Sequence, residues 1–356
     1  MISSFFLPLF KLLKINKSFF SKGKLILALL LSSFFFSSQA FSLEVVASTR
    51  PIHSIVSAIM KDVGSPYLIV QGAGSPHNYA LRPNDARAIQ NADIVFWTSP
   101  ELETFLIKPL TTIADSKKII SVPLVETQGL VLLPLRDNEN FEPHHHDGDD
   151  HHEHEHAHEH EHDNHNITDN LETTTHNEHS EHNEHYDTHF WLDPQNAALM
   201  ADEIARQLAK ADPQNADKYL ANAKAYKQRL DDLMQNTRNK LAPVQDKPLL
   251  VFHDAYQYFE KRFGVDVVGS VSINPEHQPS IQHIRTLRQK IQNLGAVCIF
   301  SEPQFQPKLI NTIIEGTKVK TGTLDPLGYD IPEGEDQYIT LIEHLGDAIV
   351  ECVNQP

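Results

Sequence analysis

No basic stripe and no nucleic-acid-binding motif stands out along this chain of 356 residues. The sequence has 30 lysines and arginines against 47 aspartates and glutamates, which gives a formal net charge of −17. Residues 137–188 hold seventeen of the acidic residues and no basic residue, so they account for most of this charge. A chain with this balance is not expected to have nucleic acid as a partner.

Long hydrophobic runs are also scarce at the start of the chain. The apolar run 25–36 is shorter than the ~20 residues that a membrane-spanning helix needs. Five lysines between Lys11 and Lys24 precede it, and small residues up to Ala40 follow it. This order is typical of a secretory signal peptide. We therefore predict export with cleavage after Ala40 or Ser42, so that residues 1–42 form the signal; an uncleaved membrane anchor is the alternative.

Cysteine is rare, with only Cys298 and Cys352 in the whole chain. An isolated pair in an exported protein usually forms a disulfide. We therefore expect a bridge that joins a predicted strand at 296–300 to the last predicted helix. Two free buried thiols are the alternative.

Histidine, by contrast, is abundant, and fifteen of the 22 histidines lie between His144 and His185. They alternate with acidic residues, and imidazole and carboxylate groups both suit zinc and similar divalent ions. His-rich low-complexity tracts are usually metal-binding segments. We predict that residues 137–188 form a disordered metal-binding loop; a solvated acidic linker is the alternative.

Strand-like and helix-like segments alternate on both sides of this loop, which favours α/β folds with parallel sheets. The predicted strands of the first half include 129–135. A helix at 194–210 is followed by a second helix of nearly thirty residues that ends at residue 241. We predict two α/β lobes joined by a long rigid helix, with a cleft between the lobes. The predicted parts are a first lobe at 43–136 plus 189–210, a linker helix at 211–243 and a second lobe at 244–356.

Three histidines outside the loop have distinctive neighbours. His77 lies in a loop rich in Gly and Pro after a predicted strand, and His253 follows another predicted strand directly. His189 lies where the His-rich loop ends and a helix begins. Ligands of open α/β sheets bind beyond the carboxyl ends of the strands. Three imidazoles and one further donor can form a tetrahedral zinc site.

The chain resembles the metal-specific periplasmic binding proteins of ABC importers, and most closely their high-affinity zinc-uptake members. The resemblance covers nearly all of 43–353. It rests on these motifs: V-V-A-S at 45, P-H-N-Y-A-L-R-P at 76, H-F-W-L-D-P at 189, F-H-D-A-Y-x-Y-F at 252, N-P-E-x-Q-P at 274, E-P-Q-F at 302 and L-D-P-L-G at 324.

The resemblance implies a protein of the periplasm that binds Zn²⁺ between two lobes at His77, His189 and His253. It also implies an inner-membrane ABC zinc permease as the partner, and we expect a monomer. Manganese and iron members usually have Glu where this chain has His253, so that position favours zinc. We expect further, weaker Zn²⁺ sites in the His-rich loop.

The fourth zinc ligand is left open by the sequence. Some zinc members have Glu directly before the first ligand, but Pro76 occupies that position here. Water, Asp325 or a histidine of the loop are the candidates, and we favour water. Asp187, Asp193 and Asp254 could orient the imidazoles, although capping or turn roles also explain the last two.

The remaining histidines have no assigned role: His53 and His283 fit helix surfaces, His277 a polar loop, and His344 the last helix. The main hypothesis is that the chain is a transport protein and not an enzyme. A manganese importer of the same family, a zinc metalloenzyme and a periplasmic metal buffer or chaperone are the alternatives. Three histidines and a water also describe a catalytic zinc site, but the chain has no obvious general base beside a substrate pocket.

Overall fold

A computed structural model describes residues 43–116, 119–136, 141, 186–271, 281–303 and 307–356. The predicted signal at 1–42 and the histidines 144–185 therefore lie outside the described residues. The described part contains two four-stranded sheets, and every strand pair in both sheets is parallel. These sheets form the two predicted α/β lobes, and a long helix joins them.

The first sheet has the strand order β2-β1-β3-β4. Its strands and their helices follow each other as β1 Val45–Ala47, α1 Arg50–Ile59, β2 Tyr67–Leu68, α2 Pro83–Asn91, β3 Ile94–Trp97, α3 Thr104–Ser116 and β4 Ile120–Pro123. Every residue of the central strands β1 and β3 is buried. Strands that are covered on both faces read as continuous apolar runs, and this explains why the sequence revealed them.

The second sheet repeats this arrangement with the order β6-β5-β7-β8. Its elements are β5 Pro248–Val251, α6 Gln257–Phe263, β6 Asp266–Ser270, α7 Ile281–Leu294, β7 Cys298–Ser301, α8 Pro307–Ile314, β8 Lys320–Thr323 and α9 Gln337–Asn354. The two middle strands, β5 and β7, are again the buried ones.

Two helices that pack against each other follow the first sheet in sequence and precede the second. They are α4 Pro194–Ala211 and α5 Ala216–Leu241. Asp193 caps α4 by accepting a hydrogen bond from the backbone N–H of Gln195 at 2.9 Å. Helix α5 has 26 residues, so its axis is about 39 Å long at 1.5 Å per residue. The long helix begins a few residues later than the predicted linker at 211–243, because a 3₁₀ turn at Pro213–Asn215 precedes α5.

The lobes share one continuous core. Helix α5 packs against α1 of the first lobe and against α9 at the end of the chain. The backbone N–H of Tyr338 in α9 donates to Ser54 Oγ in α1 at 2.9 Å. Trp191 lies two residues after His189, and its indole N–H donates to the Pro326 carbonyl of the second lobe at 3.0 Å. These contacts fix the spacing of the lobes at several points.

Cys298 in β7 and Cys352 in α9 form a disulfide, as predicted, with their Cα atoms 6.3 Å apart. The bridge joins the last helix to the second sheet. In the part of the chain that the structure describes, no helix is long and apolar enough to cross a membrane.

Two predictions from the sequence are wrong. Residues 129–135 do not form a sheet strand: only Pro134 makes an isolated antiparallel bridge, with Tyr186. The segment runs away from the first sheet toward α6, so it has no sheet edge to join. His53 is not on a helix surface but buried, with Nε2 3.2 Å from the Pro66 carbonyl oxygen.

Candidate metal centre

The three predicted histidines meet between the lobes. His77 lies in the loop after β2, His189 directly before the 3₁₀ turn Phe190–Leu192, and His253 two residues after β5. One ligand nitrogen from each imidazole lies within 4.8 Å of the other two. Within the described residues, this is the one group of three or more His, Cys, Asp or Glu side chains with such spacing.

The spacing of the imidazoles suits a tetrahedral ion. The Nε2 atoms of His189 and His253 are 3.4 Å apart. Two nitrogens at 2.0–2.1 Å from a tetrahedral zinc ion are separated by about 3.3 Å. The ring of His77 is 5.4 Å from that of His189 and 6.1 Å from that of His253, measured between centroids. The three rings therefore surround a point where one ion fits.

A buried carboxylate lies behind each of two histidines. Asp187 Oδ1 is 2.8 Å from His189 Nδ1, and Glu302 Oε1 is 2.5 Å from His253 Nδ1. All four side chains are buried. A carboxylate at Nδ1 holds the proton on that nitrogen, so the lone pair of Nε2 is directed at the metal. The two negative charges also offset part of the charge of a divalent cation.

Burial and this pairing shift the pKa of both members of the second pair. Burial disfavours the charged form of each group and raises the pKa of Glu302, although the neighbouring His253 opposes the change. Burial alone would lower the pKa of His253, but the carboxylates around it, Glu302 first and then Asp254 and Asp187, together raise that pKa. The pair therefore keeps a proton between its members more firmly than either group would alone.

Exposure of the site is one-sided. His189 and His253 are buried, whereas His77 is half-buried. The Trp191 ring covers His189, with 5.2 Å between the ring centroids. An ion can therefore enter on the side of His77 and reaches two imidazoles that are already fixed.

Asp325 does not belong to the histidine group of the described residues. Its carboxylate accepts hydrogen bonds from the backbone N–H groups of Leu327 at 3.0 Å and Tyr329 at 2.5 Å, so it shapes its own turn. Pro76 is buried next to His77 and offers no side-chain donor. The described side chains thus supply three ligands.

Sequence reasoning missed Glu302 as a partner of His253. The sequence did contain a feature that could have identified Glu302: it directly follows the apolar strand β7 and begins the E-P-Q-F motif. Of the three aspartates considered, Asp187 contacts a candidate ligand, because its Oδ1 lies 2.8 Å from His189 Nδ1. Asp193 caps α4 and pairs with Arg262, and Asp254 pairs with Arg136.

Comparison with known proteins identifies the family. Residues 45–352 match the profile described as ZnuA, zinc-uptake complex component A, periplasmic. The chain belongs to the ZnuA family. It is 51% identical over 326 residues to the high-affinity zinc uptake system protein ZnuA of Brucella suis biovar 1 (strain 1330), covering 91% of this chain and 96% of that protein.

Other members of the ZnuA family agree over the same length. The high-affinity zinc uptake system protein ZnuA of Yersinia pestis is 36% identical over 338 residues, covering 93% of this chain and 99% of that protein. A crystal structure of ZnuA superposes with a TM-score of 0.66 at 20% identity, and the match covers 88% of this chain and 100% of that chain. The structural match supports the two-lobed fold.

Proposed function

We propose that this chain is an exported solute-binding protein that captures one Zn²⁺ ion between its lobes at His77, His189 and His253. It then delivers the ion to the inner-membrane permease of an ABC importer. The observation that carries the proposal is the convergence of three imidazoles whose ligand nitrogens lie within 4.8 Å. We expect the protein to act in the periplasm as a monomer and to make or break no covalent bond.

Zinc is the cargo that the donor set favours. Neutral imidazole suits Zn²⁺, whereas Mn²⁺ prefers carboxylate and carbonyl oxygens. The similar proteins of Brucella suis and Yersinia pestis bear names that describe high-affinity zinc uptake. A site with three neutral nitrogen ligands therefore selects against manganese by ligand chemistry.

The fourth position of the ion is best filled by water. Asp325 is engaged by two backbone N–H groups of its own turn, and Pro76 has no donor. A site with an exchangeable ligand on one side allows the ion to leave when the permease engages the protein. The fifteen histidines of residues 144–185 are proposed to hold further Zn²⁺ ions more weakly, because nothing in the sequence orders them into one set.

The test is a competition titration read by native mass spectrometry. The mature protein, with residues 1–42 removed, is titrated with equal Zn²⁺ and Mn²⁺, alongside a variant with His77, His189 and His253 all changed to Ala. We expect the tightest site to take zinc and to vanish in the triple variant. His344→Ala is the matched control, since His344 is exposed on α9 and does not belong to the three-histidine group.

Survival of the tightest site in the triple variant would overturn the assignment of the ligands. Preference for manganese in the wild-type protein would overturn the choice of zinc. Delivery is tested separately by zinc uptake into cells that carry the permease and either the wild-type or the triple variant. Equal uptake with both proteins counts against the transport role.

A further inference from the structure

A short ribbon of the chain crosses from one lobe to the other beside the metal centre. Its two segments, residues 131–136 and 186–188, lie on either side of the histidines at 144–185 in the chain, and we name them the crossing ribbon. The Asp187 N–H donates to the Leu133 carbonyl at 2.8 Å, and this bond joins the two segments. The second segment leads directly into His189, so the ribbon determines where this imidazole lies.

Both lobes hold the crossing ribbon. On the side of the first lobe, Asn196 in α4 exchanges two hydrogen bonds with the backbone of Val131, each of 3.0 Å. On the side of the second lobe, the Tyr258 hydroxyl in α6 contacts Leu133 N at 2.9 Å and donates to the Asp187 carbonyl at 2.7 Å. The ribbon is therefore a link between the lobes at the level of the histidines.

Arg136 makes the strongest of these attachments. Its Nε lies 2.9 Å from Asp254 Oδ2, and one guanidinium nitrogen also reaches the other oxygen of Asp254. The same guanidinium reaches both oxygens of Glu260 in α6, at 2.9 Å and 2.7 Å. The ring of Phe141 covers the guanidinium at 3.7 Å, and Phe141 is buried.

The charges of this cluster are largely withdrawn from water. The exposed fractions are 17% for the Arg136 side chain, 6% for Asp254 and 12% for Glu260. A planar guanidinium that binds two carboxylates in forked geometry fixes direction as well as distance. An exposed ion pair would contribute little, whereas removal of one partner here leaves buried charge without compensation.

Arg136 and its partner Asp254 are each connected to a different candidate ligand. Asp254 directly follows His253, and Arg136 lies in the crossing ribbon, whose second segment ends directly before His189. We propose that Arg136 is a positioning residue of the metal centre, because it sets the distance between His189 and His253 without touching the ion. This inference rests on the proposed function, since it concerns the same three-histidine site.

The test compares Arg136→Gln and Arg136→Lys with the wild-type protein. A chelator is mixed with the zinc-loaded protein in a stopped-flow instrument, and the zinc dissociation rate is measured. We expect Arg136→Gln to accelerate dissociation by about 10- to 100-fold, the range typical of groups that orient ligands. Lysine can pair with one carboxylate as a point charge, so Arg136→Lys should give an intermediate rate.

Circular dichroism of the zinc-free proteins separates positioning from general stability. A merely structural role would lower the melting temperature but leave the dissociation rate unchanged. Arg206→Ala is the control, because Arg206 pairs with Glu203 on the exposed face of α4, away from the ribbon. If Arg136→Gln does not fold, Arg136→Lys decides, since a wild-type rate in a folded lysine variant overturns the proposal.

The outcomes keep the two proposals apart. If zinc binding by the wild-type protein does not depend on the three histidines, the proposed function fails. If the wild-type protein binds zinc through them and a folded Arg136→Gln variant releases it at the wild-type rate, only the positioning role fails.

Discussion

Glu302 Oε1 lies 2.5 Å from Nδ1 of His253, and both side chains are buried at the carboxyl ends of neighbouring strands, β7 and β5. On the first lobe's side of the site, Asp187 Oδ1 likewise lies 2.8 Å from Nδ1 of His189. Each lobe thus contributes one imidazole whose orientation is fixed before an ion arrives. A preorganised site loses little side-chain freedom when it binds.

Glu302→Gln should weaken zinc binding by about 10- to 100-fold, the usual effect of removing such a partner. The amide can donate to Nδ1 of His253, and this would place the ring proton on Nε2, where the metal should bind. The measurement is a zinc competition titration at neutral pH. Glu315→Gln serves as the control, because its side chain is 78% exposed. Equal affinities of wild-type protein and Glu302→Gln would show that the carboxylate does not orient the ligand.

Glu103 should make the protein less stable as the pH rises. Burial raises the pKa of this fully enclosed carboxyl to about 7, against an ordinary value of 4.5, although hydrogen bonds from Thr98 and Ser99 oppose the shift. Between these two values the folded state keeps the proton and the unfolded state loses it. Stability from this group is complete below pH 4.5 and declines as the pH rises toward 7, by at most about 1.4 kcal/mol per pH unit.

The measurement is the free energy of unfolding by urea from pH 4.5 to 8, for wild-type protein and Glu103→Gln without zinc. Glutamine has the same shape and no charge, and its amide oxygen can still accept the Thr98 and Ser99 N–H bonds. We expect the difference between the two proteins to shift in favour of the variant as the pH rises. Parallel pH profiles would mean that Glu103 does not titrate in this range.

Much of this architecture was readable from the sequence because its signals are local. Buried strands such as β3 and β5 appear as short apolar runs, and His253 could be placed because it follows such a run. The predicted strand 129–135 is the exception: it is also apolar, yet its residues from Val131 onward lie in the first segment of the crossing ribbon, with Val131 41% exposed. Local composition does not reveal where a segment goes after it leaves its sheet.

Partners that are distant in the chain could not be predicted in the same way. Glu302 pairs with His253 across 49 residues, and Arg136 reaches Asp254 across 118 residues. The first pair forms when β5 and β7 of the second sheet come together, and the second forms only when the two lobes are assembled. A single sequence contains no signal for either pair. The disulfide was predictable because the chain has only two cysteines to pair.

Loss of the bridge between Cys298 and Cys352 should destabilise the second lobe. The two cysteines are separated by 54 residues in the chain, and closing such a loop typically contributes about 2–4 kcal/mol. The measurement is urea unfolding of the protein with both cysteines changed to Ser, compared with the wild-type protein under oxidising conditions. Zinc affinity should change little, because neither cysteine contacts the histidines. A thiol reagent should find no free thiol in the native, non-reduced protein.

Removal of the His-rich loop should slow zinc loading without changing the affinity of the cleft. The loop's histidines precede the second segment of the crossing ribbon in the chain, and that segment leads into His189. Ions held by the same chain reach the cleft at a high effective concentration. Zinc held weakly there is therefore supplied to the cleft at a high local concentration. The deletion should span 143–185, so that the buried Phe141 and the half-buried Tyr186 of the crossing ribbon remain.

The experiment is stopped-flow loading at sub-stoichiometric zinc, for the wild-type protein and the deletion variant at pH 7.5 and pH 5.5. Histidine binds metal in its neutral form, and its ordinary pKa is about 6.5, so the advantage of the loop should fade at the lower pH. A second variant with the same loop length, in which the loop histidines are replaced by Asn, separates the imidazoles from the tether. Equal loading rates at pH 7.5 in all three proteins would show that the loop plays no part in capture. A large loss of equilibrium affinity on deletion would instead identify a loop histidine as the fourth ligand, because the described part of the site supplies only three.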